Sequence, residues 1–237
     1  MKYFILQLLI ILSITSALFA DNVKQKLEAF EKGTITLEEL TGSSGNEGRQ
    51  EIIEYYLLHT NSVSIKAKLP ISRCFASFDK YKEAVQLAEE YAYVYSNDWH
   101  GWKILGGANL ALGNYAAAVE ALTNSAKLGD EYSYAPLVFA ALKIDRLDIV
   151  RNQVPRLLAL KQKEPAPEAV PLDIVTVLTL YSLKADQKDI FIKALEGVSA
   201  KQILSRDDLP QLVKTGCERF KGKEIDKIRM EMEAVKK

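Results

Sequence analysis

Two cysteines and two histidines are all the soft metal ligands in a chain of 237 residues. Cys74 and Cys217 lie far apart and in different expected hairpins, so they read as two free, buried thiols rather than a disulfide. Neither His59 nor His100 has another His or Cys at ligand spacing, which leaves a zinc site nothing to build from. Charge of one sign is missing too: 31 Lys and Arg face 31 Asp and Glu, and this balance excludes the concentrated basic stripe of a nucleic-acid surface. No segment alternates apolar and polar residues at period two, so no strand is expected. Thr41 to Arg49 is the one loop rich in Gly and Ser, but without Gly-Lys-Ser/Thr it makes no phosphate cradle. Glu89-Glu90 and Asp207-Asp208 are sequence neighbours that diverge on a helix, and read as solvated surface. No cofactor and no metal is expected.

Long apolar runs are absent except at the start. Met1-Lys2 supplies a positive charge, Phe4 to Ile14 is apolar but for Gln7 and Ser13, and Thr15 to Ala20 ends in small residues. This is the layout of a secretory leader over residues 1–20, cleaved after Ala20 or after Ala17. The alternative is an uncleaved anchor, since Phe4 to Ala20 is uncharged and approaches the roughly 17 to 25 residues that span a bilayer. Either way the body is expected to be exported, periplasmic or secreted, and to meet a membrane only if the leader stays. No Cys follows the run to take a lipid.

What the chain does have is a repeat. Trp102, Leu105 and Gly106 precede Gly113, Tyr115, Ala118, Leu122 and Ala126 in a helix-turn-helix pattern. A shift of 34 residues superimposes Tyr81 on Tyr115, Ala84 on Ala118, Val85 on Val119 and Ala92 on Ala126. Small Ala84, Ala118 and Gly106 suit the points where two helices come closest. Gly113 follows an apolar run where a C-terminal cap needs positive φ, and Asp79 holds that turn one repeat earlier. Trp102 and Tyr115 are expected to fill the space left between. The pattern resembles the tetratricopeptide repeat (TPR), whose own period is 34.

Around that centre nearly every segment fits helix. Residues 21–62 form an N-terminal helical segment with a Thr36-x-x-Glu39 capping box and a flexible loop at 41–49. Residues 63–160 carry the repeats, with Pro70 either starting or kinking its helix and Asn97-Asp98 capping the next. A third hairpin turns early at Asp145-Arg146, with Ala140 where Gly106 stood. Pro165, Pro167 and Pro171 mark a linker over 161–171, and 172–237 hold divergent hairpins. The expected fold is all-α, a short right-handed α-solenoid of TPR-like hairpins.

The resemblance also implies a binding face. Counting with Trp102 as the fourth repeat position, the groove positions fall on His100, Lys103, Gly107 and Leu110. They fall on Lys66, Leu69, Arg73 and Ala76 one repeat earlier, and on Tyr134, Leu137, Ala141 and Ile144 one later. The candidate groove is therefore Lys66, Arg73, His100, Lys103, Leu110 and Tyr134, mixed apolar with a basic edge, suited to an amphipathic or acidic segment. The Lys and Asn that chaperone-binding members use on a terminal carboxylate are not matched, since Lys103 is followed by Gly107. An exported scaffold or adaptor for a protein or peptide partner is the function implied, with a membrane-anchored accessory subunit of an assembly machine as the alternative. A hydrolase is the distant third. Its case rests on Ser77-Phe78-Asp79-Lys80 with Lys214-Thr215-Gly216, which resembles the penicillin-recognising enzymes, but that family needs its Lys-Thr-Gly on a strand. No enzyme is expected.

Overall fold

Gly33, Asp79, Gly113, Asp145 and Asp186, all left-handed with φ between 55° and 77°, share one turn in the computed structural model. Each ends a helix in the same way. The N–H of the next residue reaches back five positions, Thr34 to Ala29, Lys80 to Phe75, Asn114 to Asn109, Arg146 to Ala141 and Gln187 to Ser182, at 2.8–3.0 Å. This bond satisfies a carbonyl that a helix end otherwise leaves without a partner. Asn and Asp tolerate positive φ because their short polar side chains bond locally, so aspartates at 79, 145 and 186 do what Gly113 does. The turns read at Asp79 and Asp145 thus have the same geometry as Gly113, and it recurs at Gly33 and Asp186.

The structure describes residues 19–42, 45–163 and 172–235, and the chain divides into two units, residues 1–129 and 130–237. The first contains α1 (19–31), α2 (Leu37–Gly42), α3 (Gly45–Leu58), α4 (Lys68–Ser77), α5 (Tyr81–Val94), α6 (Trp99–Ala111) and α7 (Tyr115–Lys127). The capping box at Thr36 is formed: Glu39 N–H donates to Thr36 Oγ1 at 3.1 Å and Thr36 N–H to Glu39 Oε2 at 2.6 Å. Pro70 is the third residue of α4, inside the first turn, where a missing N–H costs no intrahelical bond. Ile52, Ile53, Leu69, Ile71 and Phe75 fill the centre of this unit at 0–2% exposure.

The expected loop at 41–49 is corrected. Helix α2 runs through Gly42 and α3 begins at Gly45, with residues 43–44 outside the described set. Burial of Thr41 and Gly48 and a 2.6 Å bond from Arg49 Nε to the Thr41 carbonyl hold the corner that glycines and serines alone would leave loose.

The second unit holds a short 3-10 turn, Glu131–Ser133, then α8 (Tyr134–Lys143), α9 (Leu147–Lys163), α10 (Leu172–Lys184), α11 (Lys188–Leu195), α12 (Ala200–Leu204), α13 (Leu209–Arg219) and α14 (Lys223–Ala234). Asp130 caps the first turn, accepting from the Ser133 hydroxyl and the Tyr132 N–H. Phe191, Val175, Leu209, Val213 and Ile225 make its core at 0–1% exposure. Pro155 sits inside α9 on a face where Arg151 and Asn152 are exposed, so water meets the carbonyl its missing N–H leaves open. Helix α12 has its own capping box, Ser199 with Gln202, which the sequence reading did not pick out.

The expected boundary at 161–171 also shifts. Residues 161–163 finish α9, residues 164–171 lie outside the described set, and the division between units falls after Gly129. The third hairpin groups with the C-terminal helices because side chains tie it there: Lys161 of α9 donates to Glu196 and Lys193 carbonyls, and Lys184 of α10 donates to the Leu142 carbonyl of α8. Of the expected leader over 1–20, residues 1–18 lie outside the described set, and Phe19 and Ala20 are helical and belong to α1. Among the described residues no helix is long and apolar enough to cross a membrane.

Candidate functional site

Helix α6 starts because Asp98 caps it, its carboxylate accepting the His100 N–H at 3.0 Å. The first turn then puts Trp99, His100, Lys103 and Ile104 on one face, since residues four apart on a helix are neighbours. Leu37 and Glu38 of α2 and Arg73 of α4 meet that face. Together these seven side chains line a cleft of about 190 Å³. The Trp99 and His100 rings are stacked with centroids 3.6 Å apart, and Lys103 Nζ stands 5.1 Å from the Trp99 ring centroid, within cation–π range.

Two carboxylates organise the charge. Arg73 Nη1 donates to Glu38 Oε1 at 2.8 Å, and this bond holds the Glu38 carboxyl below the usual carboxylate range. Burial pushes Asp98 up, but His100 Nδ1–H at 2.8 Å and the Tyr91 hydroxyl at 2.5 Å, both donating to it, more than offset that and hold its pKa at about 2. Asp98 is turned to Tyr91 and His100 and does not line the cleft. The cleft therefore presents an aromatic plate, the basic side chains of Arg73 and Lys103, and one carboxylate already seated on Arg73. It can take a charged or aromatic side chain; it holds no activated nucleophile.

Of the six candidate groove residues, Arg73, His100 and Lys103 meet in this cleft. Lys66 does not. It precedes α4, and its ammonium donates to the Glu31 carbonyl at the end of α1, above the Phe30 ring. Leu110 is half-buried on α6 outside the cleft. Tyr134 belongs to the second unit, where its hydroxyl accepts from Arg156 Nη1 at 2.9 Å and the guanidinium lies over its ring. Three other counted groove positions, Leu69, Leu137 and Ala141, are 0–2% exposed and face the core. The basic edge is weaker than counting charges implied, because Lys66 is spent on a helix end and Arg73 on Glu38.

The repeat signature residues divide in the same way. Ala84 and Ala118 are fully buried and Leu105 nearly so; a Cβ added to Gly106 would lie 2.5 Å from Leu122 Cγ, so the helices touch there. Gly113 takes its positive φ. Tyr81 and Tyr115 are half-buried, the Tyr81 hydroxyl bonding Asp79. Trp102 is half-buried as well and donates its indole N–H to the Ser96 carbonyl at 2.8 Å. The expectation of buried aromatics there is corrected: the fully packed one is Tyr91, 3% exposed, and Gly101 makes room for it, since a Cβ there would lie 2.6 Å from the Tyr91 ring. Sequence counting missed Leu37, Glu38, Trp99 and Ile104. Trp99 was within reach, one residue past the cap and four before Lys103; Glu38 was not, being joined to Arg73 only through tertiary packing.

The hydrolase reading lacks its strand. Ser77 donates its hydroxyl to the Cys74 carbonyl at 2.8 Å, while Lys214-Thr215-Gly216 lies on helix α13 of the other unit, with Gly216 against Phe191. Both cysteines are free and buried, and burial pushes the Cys74 thiol up to about 12, away from the thiolate that nucleophilic chemistry needs. A second, larger cleft of about 600 Å³ opens between α13 and α14 over Val213, Cys217 and Met232, with Lys214, Glu218 and Arg229 at its edge.

No family model matches the chain, and no curated protein sequence does. Among solved structures, the chain is similar to a point mutant of MamA at 12% identity, covering 78% of this chain and 98% of that one with a TM-score of 0.54. A thermophilic TPR protein of Thermus thermophilus aligns at 15% identity over 77% of this chain and 96% of that one, TM-score 0.47. With helix-turn-helix units closed by one recurring turn, the fold is all-α and TPR-like.

Proposed function

We propose that the chain is an exported scaffold that binds a partner protein through the cleft on α6, taking an acidic, amphipathic segment. The observation that carries the reading is the convergence of Arg73, His100 and Lys103, chosen from repeat positions alone, on one cleft with a half-buried aromatic plate. The TPR-like fold supports a binding role, and the uncharged run with a small-residue end at 1–20 supports export. Crosslinking in the native cells followed by partner identification tests it. The double variant Arg73→Glu, Lys103→Glu is expected to lose a discrete partner, while Lys66→Glu, outside the cleft, keeps it. Loss in neither variant sinks the reading.

The uncharged stretch Phe4 to Ala20 also suits a retained anchor, which makes a membrane-anchored accessory subunit of an envelope or secretion assembly the second reading. The mass of the mature N-terminus separates the two: an intact Met1 in the membrane fraction favours the anchor, and a start at Asp21 or Leu18 favours the free scaffold.

A further inference from the structure

We infer that Glu38 is an internal stand-in for the partner's carboxylate, and that an acidic segment enters the cleft by displacing it from Arg73. The inference rests on the docking reading above and adds the gate to it. Helix α2 is fixed from below: Leu37 and Leu40 are 5% and 1% exposed, the Thr41 hydroxyl donates to the Leu37 carbonyl at 2.7 Å, and the capping box closes its start. Its backbone therefore stays in place while the Glu38 side chain, 65% exposed, swings. Arg73 is 37% exposed on its side chain, so the guanidinium is open to a carboxylate from either source. Exposed pairs of this kind are weak and exchange readily. With Glu38 seated, the Arg73 guanidinium already carries one carboxylate bond; with Glu38 turned out, a carboxylate of the incoming segment makes that bond instead.

Fluorescence anisotropy of labelled hexaglutamate at low salt, with hexaserine as control, tests the gate on the full chain. Glu38→Gln is expected to bind about twofold to fivefold more tightly than the wild type, the range an exposed ion pair commands. Arg73→Gln is expected to bind at least about tenfold more weakly, as loss of a charge-assisted partner does. In the double variant the gain from Glu38→Gln should vanish, because the two residues act on each other. Equal affinity of wild type and Glu38→Gln, with Arg73→Gln still weakened, overturns the gate and leaves the docking reading standing. A gain from Glu38→Gln that persists without Arg73 also overturns it, since bulk charge alone would then explain the change. No binding to wild type or Glu38→Gln overturns the docking reading and the gate together. All three variants lie at the surface and are expected to melt as the wild type does.

Discussion

The two units close their turns alike yet hold their helices together by different means. In the first, small residues let backbones approach: Gly101 under Tyr91, Gly106 under Leu122, and Ala84, Ala88, Ala118 and Ala121 at 0–2% exposure. In the second, long cations reach across to the ends of neighbouring helices. Lys184 bonds the Leu142 carbonyl at 2.7 Å and also Asp145; Arg219 bonds the Leu183 carbonyl at 2.7 Å and Asp186 at 2.9 Å. Lys161 bonds two carbonyls at the end of α11, and Arg229 bonds Cys217 of α13. Each meets carbonyls that a helix leaves unpaired, at the negative end of its dipole. Shape dominates in the first unit, where Lys66 on Glu31 and Arg49 on Thr41 add two ties of the same kind, and directed polar bonds between helices are more numerous in the second.

The sharpest break comes from adding bulk. Ala118→Leu should cost about 3 kcal/mol or more, because a close-packed contact has no room for the added carbons. Gly106→Ala should cost about 1–3 kcal/mol even though alanine favours helix by about 1 kcal/mol. Gly216→Ala is the counterpart in the second unit: its Cβ would stand 2.0 Å from Phe191, the one place among the described residues where that unit uses glycine as the first does. Thermal melts followed by circular dichroism decide the matter. Wild-type melting of Ala118→Leu would remove the small-residue account of the first unit.

Lys161→Met tests the other mechanism. Lys161 is only 9% exposed, and burial pulls its pKa down; the variant keeps the stem and deletes both carbonyl bonds. Bonds to a charged group are worth about 1.5–3 kcal/mol, so a loss of about 2 kcal/mol in urea unfolding is expected. Arg219→Met, more exposed, should lose about 1 kcal/mol. An unchanged stability for Lys161→Met would mean that apolar packing, not the polar ties, holds the second unit.

This contrast explains what was legible in the sequence. Small residues at a fixed 34-residue offset are a local pattern, so Ala84, Ala118, Gly106 and Gly113 were readable, and so were the Thr36 and Asp98 caps. The ties of the second unit join residues 12 to 42 apart with no fixed offset, and a surface-type lysine in sequence looks the same whether it is solvated or buried. The cleft was half legible for the same reason. Arg73, His100 and Lys103 follow from repeat counting, whereas Glu38 lies on a short helix whose cap was legible but whose packing against Arg73 was not. Counting failed at Leu69, Leu137 and Ala141 because those positions, apolar in this chain, turned inward.

A last contrast, read through pH, separates burial from pairing. Asp98 in the first unit and Asp148 in the second both have pKa values held at about 2, Asp98 by His100 and Tyr91 against its burial and Asp148 by Arg146 at 2.8–2.9 Å. A carboxyl whose folded value lies below its unfolded one adds stability above the unfolded value, near 3.8, and loses it as the pH falls through about 2. For Asp98 this window is worth on the order of 2 kcal/mol. Asp98→Asn, which keeps a capping side chain, should therefore be less stable than wild type at pH 7, and the gap should close toward pH 2. Asp148 stands in solvent, where screening removes most of what a pair supplies, so Asp148→Asn should leave urea unfolding unchanged at both pH values. Equal acid limbs for wild type and Asp98→Asn would show that the Tyr91-Asp98-His100 network is no more than a surface pair, and that α6 owes its position to shape alone.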